Sequence, residues 1–389
     1  MNNQDTRNNN QIKFQIPNFK YGYWLLVIGY SLVIVSWLLV ISAQASQILD
    51  PTDIGVGARP LGLGKAYTAI ANDGSAIFTN PAGLSQGSNL KLISMAGNVM
   101  SEVPYTMFGG SYPLLNGTLG FGYVGLGVSG IKEAYLSGGT PEVTGKEGSF
   151  TNSALNLSYA TDLEKVPYLN KMGTGIFREA KVGATFKLIN QGFSGTASFE
   201  GGGGTGFDLD LGTQAKINED TTAGLTVKNL IPGNNFKSDE LPMSITAGVS
   251  KNFTKFNLLT AMDAEISRTL LFHLGCEWNP IQLLKIRLGL DQKPSAGSSI
   301  TNLAAGMGIS FKGFTFDYAY HTYAELSEFT THFFSIGYVG EALDHARAKE
   351  KKIEVKPVIA PAPQPTPVQI TPPAKSVPIK KTPVKAKKK

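Results

Sequence analysis

The stretch GVGARPLGLGKAYTAIANDGSAIFTNPAGL, residues 55–84, precedes a long series of short strand-like runs that continues to about Tyr338. It is rich in Gly and Ala and poor in long charged side chains, which suits a segment that packs closely against other backbone. A small segment of this kind ahead of many β-strands predicts a plug, spanning 46–89, that enters a β-barrel. The alternative is an ordinary N-terminal helix and hairpin of a soluble domain.

Glycine and turn residues shape the predicted plug. Gly62, Gly64 and Gly83 each permit a close backbone approach or a positive φ. A short helix is predicted over 61–71, and Asn72-Asp73-Gly74 is a turn signal that ends it.

The candidate plug motif is Asn80, Pro81, Ala82 and Gly83, at the end of this stretch. Proline restricts the preceding residue to extended backbone, so Asn80 and Pro81 are expected to fix the last turn before the first strand. Arg59 has two interpretations: a surface or salt-bridged residue, or one partner of a specific ion pair between plug and barrel wall.

The first 45 residues predict a secretion signal. Arg7, Lys13 and Lys20 precede an uncharged run over 24–41, and Ala43 and Ala45 fit an A-x-A cleavage site with the cut after Ala45. The apolar run of about 18 residues is also long enough to span a bilayer, so an uncleaved anchor is the alternative.

Period-two alternation predicts strands from 90 to 340. The segment 284–291, LKIRLGLD, places leucine and isoleucine on one face and Lys285, Arg287 and Asp291 on the other. A water-soluble sandwich would need a second layer to bury such faces. A transmembrane barrel places the apolar face in lipid and pairs every backbone group within the sheet, and this interpretation is favoured.

The sequence predicts about fourteen antiparallel strands. Their centres are expected near Leu92, Phe108, Gly122, Leu157, Ala184, Leu211, Leu225, Ala247, Thr260, Leu274, Leu288, Gly306, Tyr318 and Ile336. Short connections follow strands two, six, eight, ten and twelve, and longer ones, such as 129–152 and 190–205, follow mainly odd strands. This asymmetry predicts short periplasmic turns and long external loops. The long 162–179 segment and the short link near Ser267 depart from it.

The polar faces of these strands supply the candidate lumen residues. They are Lys181, Lys187, Asp208, Asp210, Glu277, Lys285, Arg287, Asp291, Asp317 and His321. Such charges usually form a polar interior that tunes selectivity. Asp208 and Asp210 share a face and resemble a carboxylate pair, but no nucleophile or acid accompanies them.

Signals of catalysis, cofactors and metals are absent from the sequence. The four histidines are scattered, the Gly run 201–204 lacks the Lys-Ser/Thr of a phosphate loop, and Cys276 is the single cysteine. We therefore expect neither an enzyme nor a cofactor. The excess of positive charge lies in the tail, because 355–389 contains eight Lys and no Asp or Glu, so nucleic acid is not an expected partner.

The C-terminal part is predicted to lie outside the barrel. A short charged helical segment is expected over 341–354, followed by a disordered Pro- and Lys-rich tail over 355–389. In the periplasm, such a tail would meet peptidoglycan carboxylates or an acidic protein as its partner. The alternative is a solvated extension without function.

Six motifs recur in an order that resembles a known family. They are GARPLGLGKAYTAIANDGSAIFTNPAGL (57–84), VGATFKLINQGFSG (182–195), GFDLDLG (206–212), TAGLTVKNL (222–230), LPMSITAGVS (241–250) and FDYAYHTYAELSEFTTHFFSIGYVG (316–340). The chain resembles the PorV/PorQ-like group within the FadL-type outer-membrane protein superfamily, over roughly 54–340.

The resemblance implies an outer-membrane barrel of fourteen strands with an N-terminal hatch whose Asn-Pro-Ala motif maps to Asn80, Pro81 and Ala82. It implies two functional classes. One is passive uptake of small hydrophobic molecules. The other is an accessory role in protein secretion or surface attachment, in which external loops would bind exported proteins.

Overall fold

The computed structural model describes residues 50–99, 102–167, 178–196, 203–231, 241–295, 298–322 and 330–342. Within these residues, fourteen antiparallel strands form a closed barrel in which each strand pairs with its neighbours in the chain and β1 pairs with β14. The predicted all-β barrel is confirmed, and every predicted strand centre falls within one strand. The predicted signal segment and the tail lie outside the described residues.

The strands differ considerably in length. Their bounds are β1 Asn89–Val99, β2 Val103–Leu114, β3 Gly117–Ser137, β4 Thr140–Asp162, β5 Arg178–Ser194, β6 Gly204–Lys216, β7 Thr221–Lys228, β8 Ser244–Phe253, β9 Leu258–Ile266, β10 Leu270–Ile281, β11 Leu284–Ser295, β12 Ser298–Phe311, β13 Phe314–Thr322 and β14 Thr330–Ala342.

Alternation along each strand separates an apolar outer face from an inner face of mixed polarity. In β11, Leu288 points outward and is 59% exposed, whereas the adjacent Arg287 points inward and is 1% exposed. Exposed Phe108, Phe186 and Phe316 extend the same outer face on other strands. This pattern is the one that places large apolar side chains against lipid in a membrane barrel.

The barrel has two rims, which differ in their connections. The terminal rim is the one where Asn89 of β1 pairs with Ala342 of β14. The turns 115–116, 217–220, 254–257, 282–283 and 312–313 lie there, and so does the longer connection after β4, which starts with a 3-10 helix at Leu163–Lys165. The far rim is the opposite one, where β5 ends at Ser194 and β6 begins at Gly204, and where β7 ends at Lys228 and β8 begins at Ser244.

The segment 129–152 is not the loop that the sequence predicts. Strands β3 and β4 continue into it as a paired ribbon, from Ser129 opposite Ser149 to Ser137 opposite Thr140. Gly138 and Gly139 form the tip, both with positive φ. The loop expectation was wrong because ladder hydrogen bonds between the two strands can continue beyond the barrel wall, where period-two alternation no longer marks a buried face.

The segment 50–88 lies inside the barrel. It contains 3-10 helices at Pro51–Ile54, Gly74–Ile77 and Pro81–Ser85 and one α-helix at Ala58–Gly62. The helix predicted over 61–71 is therefore wrong. Gly64 and Lys65 have φ values of 59° and 64°, a left-handed conformation that stops the helix.

The plug packs into the barrel through apolar and polar contacts. Leu61, Leu63, Tyr67 and Ile77 of the plug belong to one buried cluster with inward side chains of the wall, among them Tyr105. In the described parts of the chain, no helix combines the length and apolar content needed to cross a bilayer.

Candidate functional site

Arg59 connects the plug to the wall through a chain of ion pairs. Its Nε lies 2.9 Å from Glu277 Oε2 on β10, and the same carboxylate oxygen lies 2.7 Å from Arg287 Nε on β11. Arg287 Nη1 is in turn 2.7 Å from Asp317 Oδ1 on β13. Three of the candidate lumen residues are thus joined into one buried network, and the plug-to-wall alternative for Arg59 is the one present.

Tyr67 and Asp73 hold Arg59 from within the plug. Arg59 donates a hydrogen bond of 3.0 Å to the Tyr67 hydroxyl, which donates to Asp73 Oδ2 at 2.7 Å. Burial raises the pKa of Tyr67 well above its usual value, so the phenol keeps its proton. Burial would also raise the pKa of Asp73, but Arg59 and hydrogen bonds from Ser75 and Tyr67 lower it. The arginine therefore lies beside two carboxylates, one in the plug and one in the wall.

A second cluster forms around Asp291, which is fully buried. Lys65 Nζ of the plug lies 3.5 Å from Asp291 Oδ2. On the wall, His273 Nδ1 of β10 and His321 Nε2 of β13 each lie 3.0 Å from this carboxylate. Two more predicted lumen residues, Asp291 and His321, therefore meet at a single plug contact.

A third cluster joins Lys187 to the start of the plug. Lys187 Nζ lies 2.9 Å from Asp50 Oδ2 and 3.0 Å from Asp210 Oδ1, and it also donates to Asn229 Oδ1. Asp208 is the ladder partner of Lys187, and its Oδ1 accepts hydrogen bonds from the backbone of Leu209 and Ile231. Asp210 thus contacts the Lys187 ammonium, and Asp208 holds the backbone beside it.

The remaining two candidates, Lys181 and Lys285, lie toward the terminal rim. Lys181 forms an ion pair of 2.8 Å with Asp162. Lys285 is half-buried, opposite Gly308 and two residues nearer the rim than Arg287. Neither lysine contacts the plug through a described hydrogen bond or ion pair.

The Asn80 motif attaches the plug to β6. Asn80 Nδ2 donates to the carbonyl oxygens of Thr68, at 2.8 Å, and Thr213, at 3.0 Å, while its Oδ1 accepts from the Ala82 amide at 3.2 Å. Both donors and one acceptor site of the amide are thus used to join two parts of the plug to one wall strand. Pro81 begins the 3-10 helix that follows.

Inward-facing glycines let the plug backbone approach the wall. The sequence patterns did not predict these contacts. A Cβ on Gly289 would lie 2.1 Å from the Gly64 amide nitrogen, and one on Gly212 would lie 2.2 Å from Asn80 Oδ1. The available signal was glycine on the polar face of successive strands, as in the LKIRLGLD run. Asp263 was also missed; its Oδ2 accepts from the backbone amides of Tyr67 and Thr68, each at 2.9 Å.

Toward the far rim, apolar and polar side chains both point inward. Val99, Val124, Leu126, Ile189 and Phe333 are each at most 9% exposed and belong to one buried cluster with the plug. Buried polar side chains lie at the same end of the barrel, among them Asn152 and Thr331. Asn156 on β4 has both side-chain polar atoms lacking a hydrogen-bond partner in the described residues. This part of the interior therefore combines a group of apolar side chains with a few polar ones, as small-molecule sites do.

Among the described residues, no group of three or more His, Cys, Asp or Glu side chains is placed to hold a metal ion. The charged clusters consist of ion pairs between plug and wall.

No protein-family model matches the sequence, and no curated protein matches it. Among solved structures, similar chains include the Ralstonia pickettii toluene transporter TbuX, with a TM-score of 0.51 and 13% identity, covering 74% of this chain and 99% of that chain. The Pseudomonas putida toluene transporter TodX has a TM-score of 0.50 and 13% identity, with coverages of 76% and 98%.

A TodX deltaS2S3 mutant, described as a monoaromatic hydrocarbon channel, has a TM-score of 0.52 and 13% identity, covering 73% of this chain and 97% of that chain. These likenesses establish a shared fold. The barrel implied by the family resemblance is therefore present, and membership of the PorV/PorQ group stays a prediction.

Proposed function

We propose that the protein is an outer-membrane barrel through which small hydrophobic molecules pass passively, with the plug controlling the route. The observation that carries this proposal is the group of apolar inward side chains toward the far rim, including Leu126, Ile189 and Phe333, which pack in one cluster with the plug. The fold shared with two barrels described as toluene transporters supports the same conclusion.

The outer face supports a membrane location. Large apolar side chains such as Phe108, Leu288 and Phe334 are between 50% and 60% exposed on the outside of the barrel. Exposure of so much apolar surface to water would be unfavourable, whereas lipid would cover it. We place the terminal rim, with its mostly short turns, on the periplasmic side, which puts the C-terminal tail in the periplasm.

The contacts of the plug suggest how a route would open. Ion pairs hold the plug to β10, β11 and β5 through Arg59, Lys65 and Asp50, and wall glycines leave little free space beside its backbone. Passage therefore requires local rearrangement of plug turns rather than removal of the whole segment. The three ion-pair clusters would remain in place while an apolar molecule moves past apolar inward side chains such as Leu126, Ile189 and Phe333.

The test is uptake of a hydrophobic dye by proteoliposomes that contain the full chain. Leu126→Asn places a polar amide in the apolar part of the lumen and should lower the uptake rate several-fold, whereas Leu126→Met should leave it close to that of the wild type. Heat-modifiable migration on a gel checks that each variant is folded. Uptake no faster than in protein-free vesicles, or equal uptake by a folded Leu126→Asn variant, would contradict the proposal.

The second candidate function is a non-transporting accessory barrel that binds exported proteins at its far rim. The paired ribbon of β3 and β4 favours it, because residues 130–148 extend past the pairing of β4 with β5 and expose Tyr135, Leu136 and Val143. Replacing 130–147 by a two-residue turn distinguishes the functions. Loss of surface attachment of exported proteins with normal dye uptake would support docking.

A further inference from the structure

The outer surface of strands β8 to β13 contains an apolar groove of about 930 Å³. It lies between two rows of outward side chains that cross the strands. One row contains the small side chains Thr260, Cys276 and Ala305 together with Leu288. Larger side chains form the opposite edge, namely Met262, Leu274 and Leu290.

The strand register aligns the residues of this row. Thr260 is the ladder partner of Cys276, and Cys276 and Ala305 are both partners of Leu288, so these residues form one level across four strands. Outward residues two positions apart along a strand are separated by about 6.6 Å, so a hydrocarbon chain can lie over the small side chains of this row beside the larger ones of the next, and it would contact Leu288 where that side chain stands in the row.

The two ends of the groove differ in charge. Lys251, two residues before the end of β8 at the terminal rim, lines one end, and Tyr320 of β13 lines the other. Lys255 lies in the turn after β8 and is exposed like Lys251. The Lys251 ammonium lies 5.2 Å from the centre of the Phe253 ring. Among the described residues that line the groove, the one cationic group is thus at the rim, where lipid headgroups would lie.

The dimensions match one lipid leaflet. From β8 to β13 the groove crosses five strand spacings of about 4.8 Å, a length of about 24 Å. Strands of membrane barrels tilt by about 45°, so a row across them descends about 17 Å, close to the roughly 15 Å half-thickness of a hydrocarbon core. An acyl chain with its head at one membrane surface would fill it.

We propose that this groove binds one acyl chain of an anionic phospholipid, with the lipid phosphate paired to Lys251. The proposal rests on the membrane location proposed above and not on passage through the lumen. The backbone of Gly275 and Gly289 lines the groove from below and contacts Leu63 and Gly64 of the plug on its inner side. Lipid and plug would therefore occupy opposite faces of the same two strands.

Cys276 provides a probe at the groove, because it is a free and partly exposed thiol. The full chain in mild detergent would be labelled with a maleimide in the presence of phosphatidylglycerol, phosphatidylcholine or dodecane. We expect phosphatidylglycerol to slow labelling at least five-fold, with little protection by the other two. Equal protection by phosphatidylcholine or dodecane would show a charge-independent site and overturn the proposal, as would no protection by any of them.

Variants separate the two parts of the site. Lys251→Gln should abolish the preference for phosphatidylglycerol, and Ala305→Phe should reduce retained phosphatidylglycerol in native mass spectra at least five-fold. The matched control is Ala247→Phe, an outward position on β8 outside the groove, which should retain wild-type binding. Equal loss in the control, or unchanged binding in a folded Ala305→Phe variant, would contradict the assignment.

Dye uptake keeps this test independent of the proposed function. Normal uptake by Lys251→Gln with lost lipid preference would support the lipid site and leave passage intact. Absent uptake by the wild-type chain with intact lipid preference would count against passage alone.

Discussion

The plug is held in different ways by the two sides of the barrel. Strands β10 to β13 bind it through ion pairs, with Arg59 on Glu277 and Lys65 on Asp291. Strands β5 to β7 bind its later part through close backbone contact and neutral hydrogen bonds, as at Asn80, while Lys187 of β5 forms an ion pair with Asp50 at its start. Added volume is unfavourable on both sides, because Gly289 on β11 approaches Gly64 as closely as Gly212 on β6 approaches Asn80. Removal of an ionic partner acts mainly on the charged side.

The largest effect is expected on the neutral side, from Gly212→Leu. A Cβ there would lie 2.2 Å from Asn80 Oδ1 and 2.8 Å from Pro81 Cδ, so the plug or the wall must move. We expect about 3 kcal/mol of destabilisation in urea unfolding, or a folded barrel with an expelled, protease-sensitive plug. Gly110→Leu is the control, because Gly110 is not on the plug-facing inner wall and a Cβ there would approach the flexible end of Leu92. Equal losses in both variants would mean that contact with the plug is not the cause of the loss.

On the charged side, Arg59→Met should destabilise the folded protein by about 2–3 kcal/mol. It leaves Asp73 without its arginine partner and leaves Glu277 with Arg287 as its remaining ionic partner. A double-mutant cycle of urea unfolding with Glu277→Gln measures the coupling. We expect the double variant to be more stable than the sum of single effects, because the buried charges are removed together. Additive effects would mean that the pair contributes no specific attraction.

Asn80→Ala should have the smallest effect, about 1–2 kcal/mol, because it removes neutral hydrogen bonds and leaves the carbonyl oxygens of Thr68 and Thr213 with fewer donors. The plug should loosen while the barrel stays folded. Single-channel recording should show increased ion leak with retained heat-modifiable migration. Asn80→Asp, which keeps the acceptor for the Ala82 amide but not the donor, should give a similar leak; a silent Asn80→Asp would identify the acceptor as the important atom.

These differences explain what the sequence could predict. Strand positions follow from local alternation, which is why residues such as Leu288 and Arg287 were placed on opposite faces correctly. The helix of the plug was misplaced because its end depends on the left-handed backbone at Lys65, a residue type that gives no local signal for that conformation.

Local sequence patterns could not predict which charged residues pair with one another. Arg59 and Glu277 are 218 positions apart, and nothing in either neighbourhood selects one carboxylate among several on the wall. The glycine contacts likewise depend on residues that are far apart in the chain. Gly289 is recognisable as an interruption in a charged face, but its partner at Gly64 becomes evident only when the plug is inside the barrel.

The seam between β1 and β14 has a consequence for the order of assembly. The chain enters β1 directly from the plug at Asn89, and β14 is the last strand to emerge during synthesis. Because the plug fits tightly against wall strands on several sides, we expect it to be in position before β1 and β14 pair and close the barrel. Variants that disturb the plug should therefore accumulate in cells as barrels in which β1 and β14 are not paired. The defect would then appear as slow barrel assembly and not first as a change in transport.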